Sequence, residues 1–473
     1  MREKGSAFVL LAAGLTAVAF LGAAETGVAG EPSRAEVALG RTLFQREFRP
    51  NDVRCHNGDG LGPVSNSVSC VACHNLGGSG GAGSNRNNVL LVTPLSLGGD
   101  CTPGSSQAAL LTEKIRLQSG LPTPGSTVVH KFGTSPGFSE WRKWLLGKTY
   151  DGFELAQSER NTPPLFGAGL IDSIPDAALE TEARKQAAKS QTPHGRVARL
   201  KDGRAGKFGW KGQMASLDDF VRTACSAELG LEVPGHHQSV DLSDGPAKPA
   251  ELDLTDAECR ALVAYVVSLP VPSLKLPRRS SELNSAFDGG ALFKTIGCAH
   301  CHVPTLGEVS GLYSDRLLHD MGAANAGSGS YNSPGSETPE PSTAPLDVIA
   351  GTTEEPKPKP LGATSREWRT PPLWGLLTSS PYMHDGKART IEAAIVRHGG
   401  EAEKSRGQYL GLTGAQKQNL RKFFGTLAAP STAERLPAAV IHSSEKAPEP
   451  ARPKHQEHRR MRPLNMAGGC NFM

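Results

Sequence analysis

The chain has 473 residues, which is enough for two or three domains of ordinary size. Its formal net charge of +4 is too small to indicate nucleic-acid binding. The 54 glycines and 35 prolines indicate that loops make up much of the chain.

The N-terminus has the pattern of a secretory signal. Arg2 and Lys4 precede an apolar stretch over residues 7–24, and small residues follow. We predict a signal peptide over residues 1–30 and therefore export to the periplasm. A retained membrane anchor is the alternative, because this apolar stretch is near the lower length limit for crossing a bilayer.

The first predicted elements lead to a short cysteine motif. Apolar spacing predicts an amphipathic helix over residues 35–48, and a Gly- and Asn-rich loop follows. The loop ends at Cys70-Val-Ala-Cys73-His74, and a short strand is predicted over residues 89–92.

This C-x-x-C-H motif recurs at residues 298–302 and is the attachment signature of a c-type haem. Two thiols at this spacing bond one porphyrin, and the next residue places an imidazole under the iron. A four-cysteine zinc site is the alternative, but zinc does not require a histidine after both cysteine pairs. The motifs therefore predict two covalent haems, attached through Cys70, Cys73, Cys298 and Cys301, with His74 and His302 as iron ligands.

Five cysteines lie outside the motifs, so at least one thiol is free or pairs between chains. An oxidising compartment permits disulfides, but the sequence does not assign them. These residues are Cys55, Cys101, Cys225, Cys259 and Cys470.

Further helices are predicted over residues 176–190 and 216–229. A capping box, Thr255 with Glu258, begins another helix that continues to Leu269. A Pro- and Arg-bearing linker is predicted over residues 274–283.

The second half of the chain repeats the first. Leu43-Phe44 before the first motif is matched by Leu292-Phe293 before the second, and Asn161-Thr-Pro-Pro-Leu-Phe-Gly is matched by Arg369-Thr-Pro-Pro-Leu-Trp-Gly. Each half also ends in a Leu-Thr-x-Ala helix.

We therefore predict a mainly α protein with two tandem cytochrome-c-like haem domains and long loops, over residues 31–273 and 284–430. In each domain, the first and last helices pack together beside the porphyrin. Composition predicts a disordered insertion over residues 322–360 and a disordered basic tail over residues 431–473.

The order of these motifs, with Tyr382-Met-His-Asp-Gly near the end, resembles the bacterial di-haem cytochrome c peroxidase superfamily, which includes the enzyme that matures methylamine dehydrogenase. The chain is most similar to its di-haem oxidoreductase branch, also called thiol oxidoreductase-like. That resemblance rests on Asp59-Gly-Leu-Gly-Pro, Leu317-Leu-His-Asp-Met-Gly and His398-Gly-Gly-Glu-Ala, and it covers about residues 35–428.

The resemblance implies a sixth ligand for the second haem at His398, fourteen residues after His384. His319 and Met321 are the alternatives, and His384 is expected to be structural or to contact a propionate. The peroxidases usually carry Met or Tyr at the position of His398, and histidine there lowers the haem potential.

For the first haem, the resemblance places a catalytic acid and base at Glu228, eighteen residues after Trp210. A carboxyl group there could take a proton from one peroxide oxygen and return it to the other. If His130 or His194 instead closed this iron, the protein would be an electron carrier. Trp210 is expected to relay electrons between the haems, with an ordinary core tryptophan as the alternative.

The resemblance also implies one calcium ion between the halves. Its oxygen ligands would come from Asn161 and from the carbonyl groups of Thr370 and Pro372. Alternatively, Asn161 only shapes a turn.

These expectations describe an exported di-haem oxidoreductase, most simply a peroxidase that takes electrons singly from a small cytochrome c or similar donor. A homodimer is compatible with the resemblance. The alternatives are an electron carrier without peroxidase activity and an oxidoreductase for thiols or protein side chains.

Overall fold

The computed structural model describes residues 32–97, 106–121, 126–189, 193–244, 251–327, 329 and 362–436. The predicted signal peptide lies outside these residues, as do Cys101 and Cys470. The α-helices are α1 Arg34–Gln45, α2 Cys70–Cys73, α3 Ser106–Ser119, α4 Phe138–Gly147, α5 Ala168–Asp172, α6 Asp176–Ala187, α7 Leu217–Leu229, α8 Asp256–Ser268, α9 Ser280–Thr295, α10 Ile391–Arg397, α11 Glu403–Leu410 and α12 Gly414–Phe424.

The strands are short apart from one antiparallel pair. They are β1 Val64–Ser65, β2 Val89–Ser96, β3 Thr127–Val128, β4 Phe132–Gly133, β5 Phe153–Arg160, β6 Thr305–Leu306, β7 Val309–Ser310, β8 Leu318–Asp320 and β9 Glu367–Arg369. The largest sheet has the order β3-β2-β5, with Val89 opposite Arg160 and Ser96 opposite Phe153. The predicted mainly α class is confirmed, with small sheets added.

In the first half, α1 packs against α8. The side chain of Ser33 accepts a hydrogen bond from Glu36 N at the start of α1, and the Glu36 carboxylate accepts one from Ser33 N. At the crossing, a Cβ added to Gly40 would lie 1.8 Å from the Ala261 carbonyl oxygen. Only glycine therefore allows this approach, which buries Phe44 against Tyr265.

The second half repeats this crossing with α9 and α12. A Cβ added to Gly289 would lie 2.0 Å from the Asn419 carbonyl oxygen. Phe293 packs against Phe423 and Phe424, and burying each such ring contributes roughly 2 kcal/mol. The predicted pairing of first and last helices is confirmed in both halves.

A separate core lies in the part of the chain between the first motif and α5. It is enclosed by the three-stranded sheet, α3 and α4. Its buried residues include Val92, Ile115, Leu121, Leu145 and Phe153. The sequence predicted only the first four residues of β2 and did not predict β5. The exposed residues of β5 are Glu154, Gln157 and Glu159, so polar and apolar residues do not alternate regularly along it.

Three predicted boundaries are corrected. The linker ends earlier than predicted, because α9 begins at Ser280. The start of the predicted insertion is structured, since Asn325 donates to the carbonyl oxygens of Met321 and Arg397. The start of the predicted tail is also packed, where Glu434 pairs with Arg41. The remainder of the insertion and tail lies outside the described residues, apart from Gly329.

Within the described residues, no helix is both long enough and apolar enough to cross a bilayer.

Candidate di-haem site

The first motif forms the one-turn helix α2, whose N-terminus is capped by the side chain of Ser69 at 3.2 Å from Ala72 N. His74 follows directly, and its Nδ1 donates to the Gly81 carbonyl oxygen at 3.2 Å. A carbonyl only accepts, so this contact fixes the tautomer with an unprotonated Nε2. Burial lowers the pKa of His74 to about 4, which keeps the ring neutral, as an iron ligand must be.

The second motif repeats this arrangement. His302 follows a 3₁₀ turn over Cys298–His300, and its Nδ1 donates to the Tyr313 carbonyl oxygen at 2.9 Å. Burial lowers the pKa of His302 to about 4. Each histidine is also flanked by the aromatic ring of its half's first helix, Phe44 in one and Phe293 in the other.

A second imidazole faces His302. The ring centroids of His302 and His398 lie 6.5 Å apart, and the Nδ1 of His398 donates to the Ala394 carbonyl oxygen at 2.7 Å. Bonds of about 2.0 Å from one metal ion to both Nε2 atoms would place the centroids about 6.3 Å apart. The ring pair therefore fits a single iron held on both faces.

His319 is not arranged as a ligand. Its Nε2 lies 2.8 Å from a carboxylate oxygen of Asp315, and its Nδ1 lies 2.8 Å from one of Glu401. Both ring nitrogens are therefore engaged, which requires a protonated imidazolium between two carboxylates. Met321, the other alternative ligand, takes no part in these hydrogen bonds of His319.

This histidine belongs to a cluster that the sequence analysis missed. Ligand atoms of Cys301, Asp315 and His319 lie within 4.8 Å of one another, the only such group of His, Cys, Asp and Glu among the described residues. Cys301 is a predicted haem-attachment residue, and a thioether there would remove the thiolate that a metal site needs. The four-residue spacing between Asp315 and His319 is the sequence pattern from which this cluster could have been predicted.

Glu228 lies in the last turn of α7, which ends at Gly230 in a left-handed conformation with φ of 64°. Its Oε2 accepts a hydrogen bond from Asn66 Nδ2 at 2.9 Å. Burial raises the pKa of the Cys73 thiol to about 11, and the charge of Glu228 contributes to this shift. The predicted acid and base is therefore near the first motif.

The two histidines considered for the first iron are placed differently. His130 is buried, and its Nε2 donates to the Ala227 carbonyl oxygen at 2.8 Å. His194 is exposed, and its backbone N–H donates to Glu401, which lies beside the second motif. His194 therefore lies near the second motif and not near the first. The Nε2 of His130 is already used in a hydrogen bond to the backbone.

Trp210 contacts segments from both halves. Its Nε1 donates to the Asn161 carbonyl oxygen at 2.8 Å, and its own carbonyl oxygen accepts from Arg369 N at 3.0 Å. The side chain is half-buried. This position between the halves is the one that the relay hypothesis requires.

Two of the residues predicted to bind calcium already make hydrogen bonds within the protein. The Thr370 carbonyl oxygen accepts from Ser314 Oγ at 2.7 Å and from Arg369 Nη1 at 3.2 Å. The Asn161 amide nitrogen donates to the oxygens of Gly83 and Asn88. The Thr370 carbonyl oxygen is thus already used by protein donors, and the calcium site at Asn161, Thr370 and Pro372 stays a prediction.

His384 is buried and stacks on Trp368, with ring centroids 3.5 Å apart. Burial lowers the pKa of His384 to about 2, and the charges of Arg160 and Lys211 add to this shift. Its ring is therefore neutral and packed within a basic environment, in agreement with a structural position.

The three cysteines outside the motifs that the structure describes are buried and unpaired: Cys55, Cys225 and Cys259. Burial raises the pKa of Cys55 to about 12 and that of Cys259 to about 11. At neutral pH these thiols are protonated and unreactive.

The site is that of a haem-dependent redox protein, since two C-x-x-C-H motifs each present a neutral, oriented histidine. Residues 240–427 match a protein family described as "Di-haem oxidoreductase, putative peroxidase". The predicted family resemblance is thereby confirmed, and this segment is similar to the di-haem oxidoreductases. The match covers less than half of the chain and includes the second motif but not the first.

Solved structures show a distant likeness. Hydrazine synthase from Kuenenia stuttgartiensis is 14% identical, with 87% of this chain and 99% of that chain covered and a TM-score of 0.33. The di-haem peroxidase BthA from Burkholderia thailandensis is 15% identical over 87% and 90%, with a TM-score of 0.37. A MauG-like protein associated with microbial copper homeostasis is 16% identical over 55% and 91%, with a TM-score of 0.26. No curated protein matches the chain.

Proposed function

We propose that this di-haem oxidoreductase is an exported c-type protein that reduces peroxide with electrons from a small one-electron donor. When bound, the two haems supply the one-electron redox chemistry. One observation carries the proposal, which is the difference between the two motif histidines. His302 faces the ring of His398, whereas the described residues place no second histidine ring against His74.

In this proposal, the second half receives electrons. When the second haem is bound, His302 and His398 would both hold its iron, which would leave no coordination position for substrate. Two clefts of about 430 and 310 Å³ flank His300, within the second motif. The attachment loop therefore reaches the surface, where a donor protein can approach. Trp210 then bridges the halves as an electron relay.

The first half carries the chemistry. His74 would hold the first iron, and Glu228 would move a proton between the two oxygens of the substrate peroxide. Asn66 orients this carboxylate by donating to its Oε2 and by pairing its own N–H with the Glu228 carbonyl oxygen at 2.7 Å. These two bonds hold the end of α7 against the loop that precedes the motif.

Covalent haem attachment, periplasmic location and the division into two tandem haem domains belong to the same proposal. The N-terminal signal pattern supports export, because c-type haems are attached outside the cytoplasm. The two glycine crossings, at Gly40 and Gly289, support two units of the same design.

The test is a spectroscopic and kinetic study of the purified, full-length protein. Intact mass should show two haems attached covalently. Optical and EPR spectra of the oxidised and half-reduced protein should show one low-spin haem and one high-spin haem. Peroxide should be consumed when an artificial one-electron donor is supplied.

The alternatives give different results. An electron carrier would show two low-spin haems in every redox state and no peroxide consumption. A thiol or side-chain oxidoreductase would keep the high-spin haem but turn over thiols faster than peroxide.

A further inference from the structure

The last residues that the structure describes return from the second half to the first. Segment 429–436 follows the final helix of the second half, α12, yet it packs against the core cluster that contains Phe44 and Tyr265. The side chains that make this contact are Ala429, Ala433 and Leu436. The match to the family ends at residue 427, so the segment is a feature of this chain that the match does not include.

The side chain of Glu434 joins this segment to α1. Its carboxylate accepts hydrogen bonds from the Nε and Nη2 of Arg41 and, at 3.1 Å, from the Nε2 of Gln45. The two nitrogens of Arg41 bond different oxygens of the carboxylate, which is the paired geometry that gives an arginine–carboxylate contact a defined orientation. Glu434 is therefore held in one position against α1.

The main chain of the same residue holds the loop that follows the first haem motif, residues 75–82. The Glu434 carbonyl oxygen accepts a hydrogen bond from Ser79 N at 2.9 Å. Gly78 has a φ of 121°, and a Cβ there would lie 2.8 Å from that carbonyl oxygen and 2.9 Å from the Cβ of Ala433. Only glycine therefore lets the loop lie this close to the segment.

This loop carries the hydrogen-bond acceptor of the predicted iron ligand. Gly80 N donates to the His74 carbonyl oxygen at 3.0 Å, and the Gly81 carbonyl oxygen accepts from the Nδ1 of His74 at 3.2 Å. A bond to the outer nitrogen of a metal-binding imidazole fixes the orientation of the ring and raises its basicity. Since Ser79 lies two residues before Gly81, a displacement of the loop at Ser79 would change the ligand that the first half offers to iron.

The corresponding loop of the second half is held in a different way. The Nδ1 of His302 donates to the Tyr313 carbonyl oxygen at 2.9 Å, and the loop between these two residues contains the strand pair β6–β7. Loop 75–82 has one isolated bridge instead, between Leu76 and Ala82. The acceptor in the first half therefore depends more on contacts from outside its own loop.

We propose that Glu434 is a positioning residue for the first haem, because it joins α1 to loop 75–82 and so holds the Gly81 carbonyl oxygen against the Nδ1 of His74. Through this residue, the end of the second half would set the strength of the iron–histidine bond in the first half. The inference rests on the proposed function, in which a haem attached at Cys70 and Cys73 keeps an open position on its iron.

The experiment uses the full-length holoprotein and compares wild type with Glu434→Ala, Arg41→Ala and the double variant. Both single variants remove the same ion pair, so each should give the same change, and the double variant should add little to it. Glu403→Ala is the matched control, because Glu403 is exposed and pairs with Arg406 within α11 of the second half. Intact mass first establishes the number of covalent haems in each protein.

Two measurements report on the ligand and on the loop. Resonance Raman spectroscopy of the reduced protein shows the iron–histidine stretching band of a five-coordinate haem, to which a six-coordinate haem does not contribute. In the Glu434 and Arg41 variants this band should move to lower frequency, because a weaker bond to Gly81 makes His74 less basic. Hydrogen–deuterium exchange should become faster in peptides that contain Ser79. The Glu403→Ala control should match wild type in both measurements.

The outcomes separate this inference from the proposed function. A wild-type protein that lacks the stretching band, or that carries fewer than two haems, would overturn the proposed function and the inference together. When the band is present, an unchanged frequency in both single variants would overturn the inference alone, even if exchange at Ser79 is faster. An equal shift in Glu403→Ala would also overturn it. If Glu434→Ala carries fewer haems than wild type, Gln45→Ala removes one of the three bonds and should give a smaller shift in the same direction.

Discussion

The two halves of the molecule share a framework and differ in what faces the motif histidine. In both, a glycine lets the first helix cross the last, and a phenylalanine from the first helix flanks a histidine whose Nδ1 is held by a carbonyl oxygen. In the second half, a second imidazole completes a pair. In the first half, the described residues near the motif include the carboxylate of Glu228 instead.

This difference indicates how a repeated unit can acquire two roles. The framework orients a ligand equally in both halves, so the function of each half depends on the opposite face. That face is built in each half by the helix that follows a matched glycine turn, α7 after Gly212 and α10 after Gly386, so the two halves differ in the side chains that these helices carry.

The largest expected effect tests the shared framework. Gly40→Ala and Gly289→Ala should each reduce the free energy of unfolding by about 3 kcal/mol, because the new Cβ meets a backbone carbonyl that cannot move away. Gly407→Ala is the control, since this helical glycine has nothing within 4 Å and alanine should stabilise α11 by about 0.5–1 kcal/mol. Chemical denaturation followed by circular dichroism measures all three.

The same variants test whether the halves are separate domains. Gly40→Ala should disturb the spectrum of the high-spin haem first as denaturant is added, and Gly289→Ala that of the low-spin haem. If both variants lose both signals together, the tandem-domain description is wrong.

The sequence predicted this framework because its signals are local. Cysteine spacing, the capping box at Thr255 and the paired Leu-Phe positions were sufficient for the motifs and for α1, α8 and α12. The three-stranded sheet was largely missed, because β5 pairs with β2 across more than fifty residues and lacks a regular alternation of polar and apolar residues. Long-range pairing leaves little trace in a short window of sequence.

The second prediction concerns the imidazole pair. His398→Ala should convert the low-spin haem to high-spin, because one iron face loses its nitrogen ligand. EPR of the oxidised protein should then show two high-spin signals, while the exposed His194→Ala control keeps one of each. An unchanged low-spin signal in His398→Ala would show that another residue is the sixth ligand.

The third prediction concerns the carboxylate. Glu228→Gln should lower kcat for peroxide by about 10²–10³-fold, because the amide cannot exchange a proton between the two oxygens. The exposed Glu154→Gln control on β5 should retain activity. If kcat is retained while only KM rises, Glu228 positions the substrate and does not transfer the proton.

The site was less predictable than the framework, and the junction shows why. The calcium residues were inferred by position from the family resemblance, whereas Lys211, Arg316 and Arg369 come from three separate segments. No spacing along the chain relates them, so only the folded structure shows that all three are buried and that the charges of Arg316 and Arg369 interact.

The smallest expected effect concerns His130, which distinguishes a structural histidine from an iron ligand in the first half. Burial lowers its pKa to about 4, so the folded protein keeps it neutral at pH values where the unfolded chain protonates it. Its contribution to stability is therefore complete above about pH 6.5 and is lost as pH falls towards about 4. The loss should reach at most about 3 kcal/mol.

In His130→Gln, the free energy of unfolding should fall less between pH 7 and pH 4.5 than in wild type, while the high-spin signal stays the same. A change of spin state in this variant would instead make His130 a ligand, and the first iron would then be closed like the second.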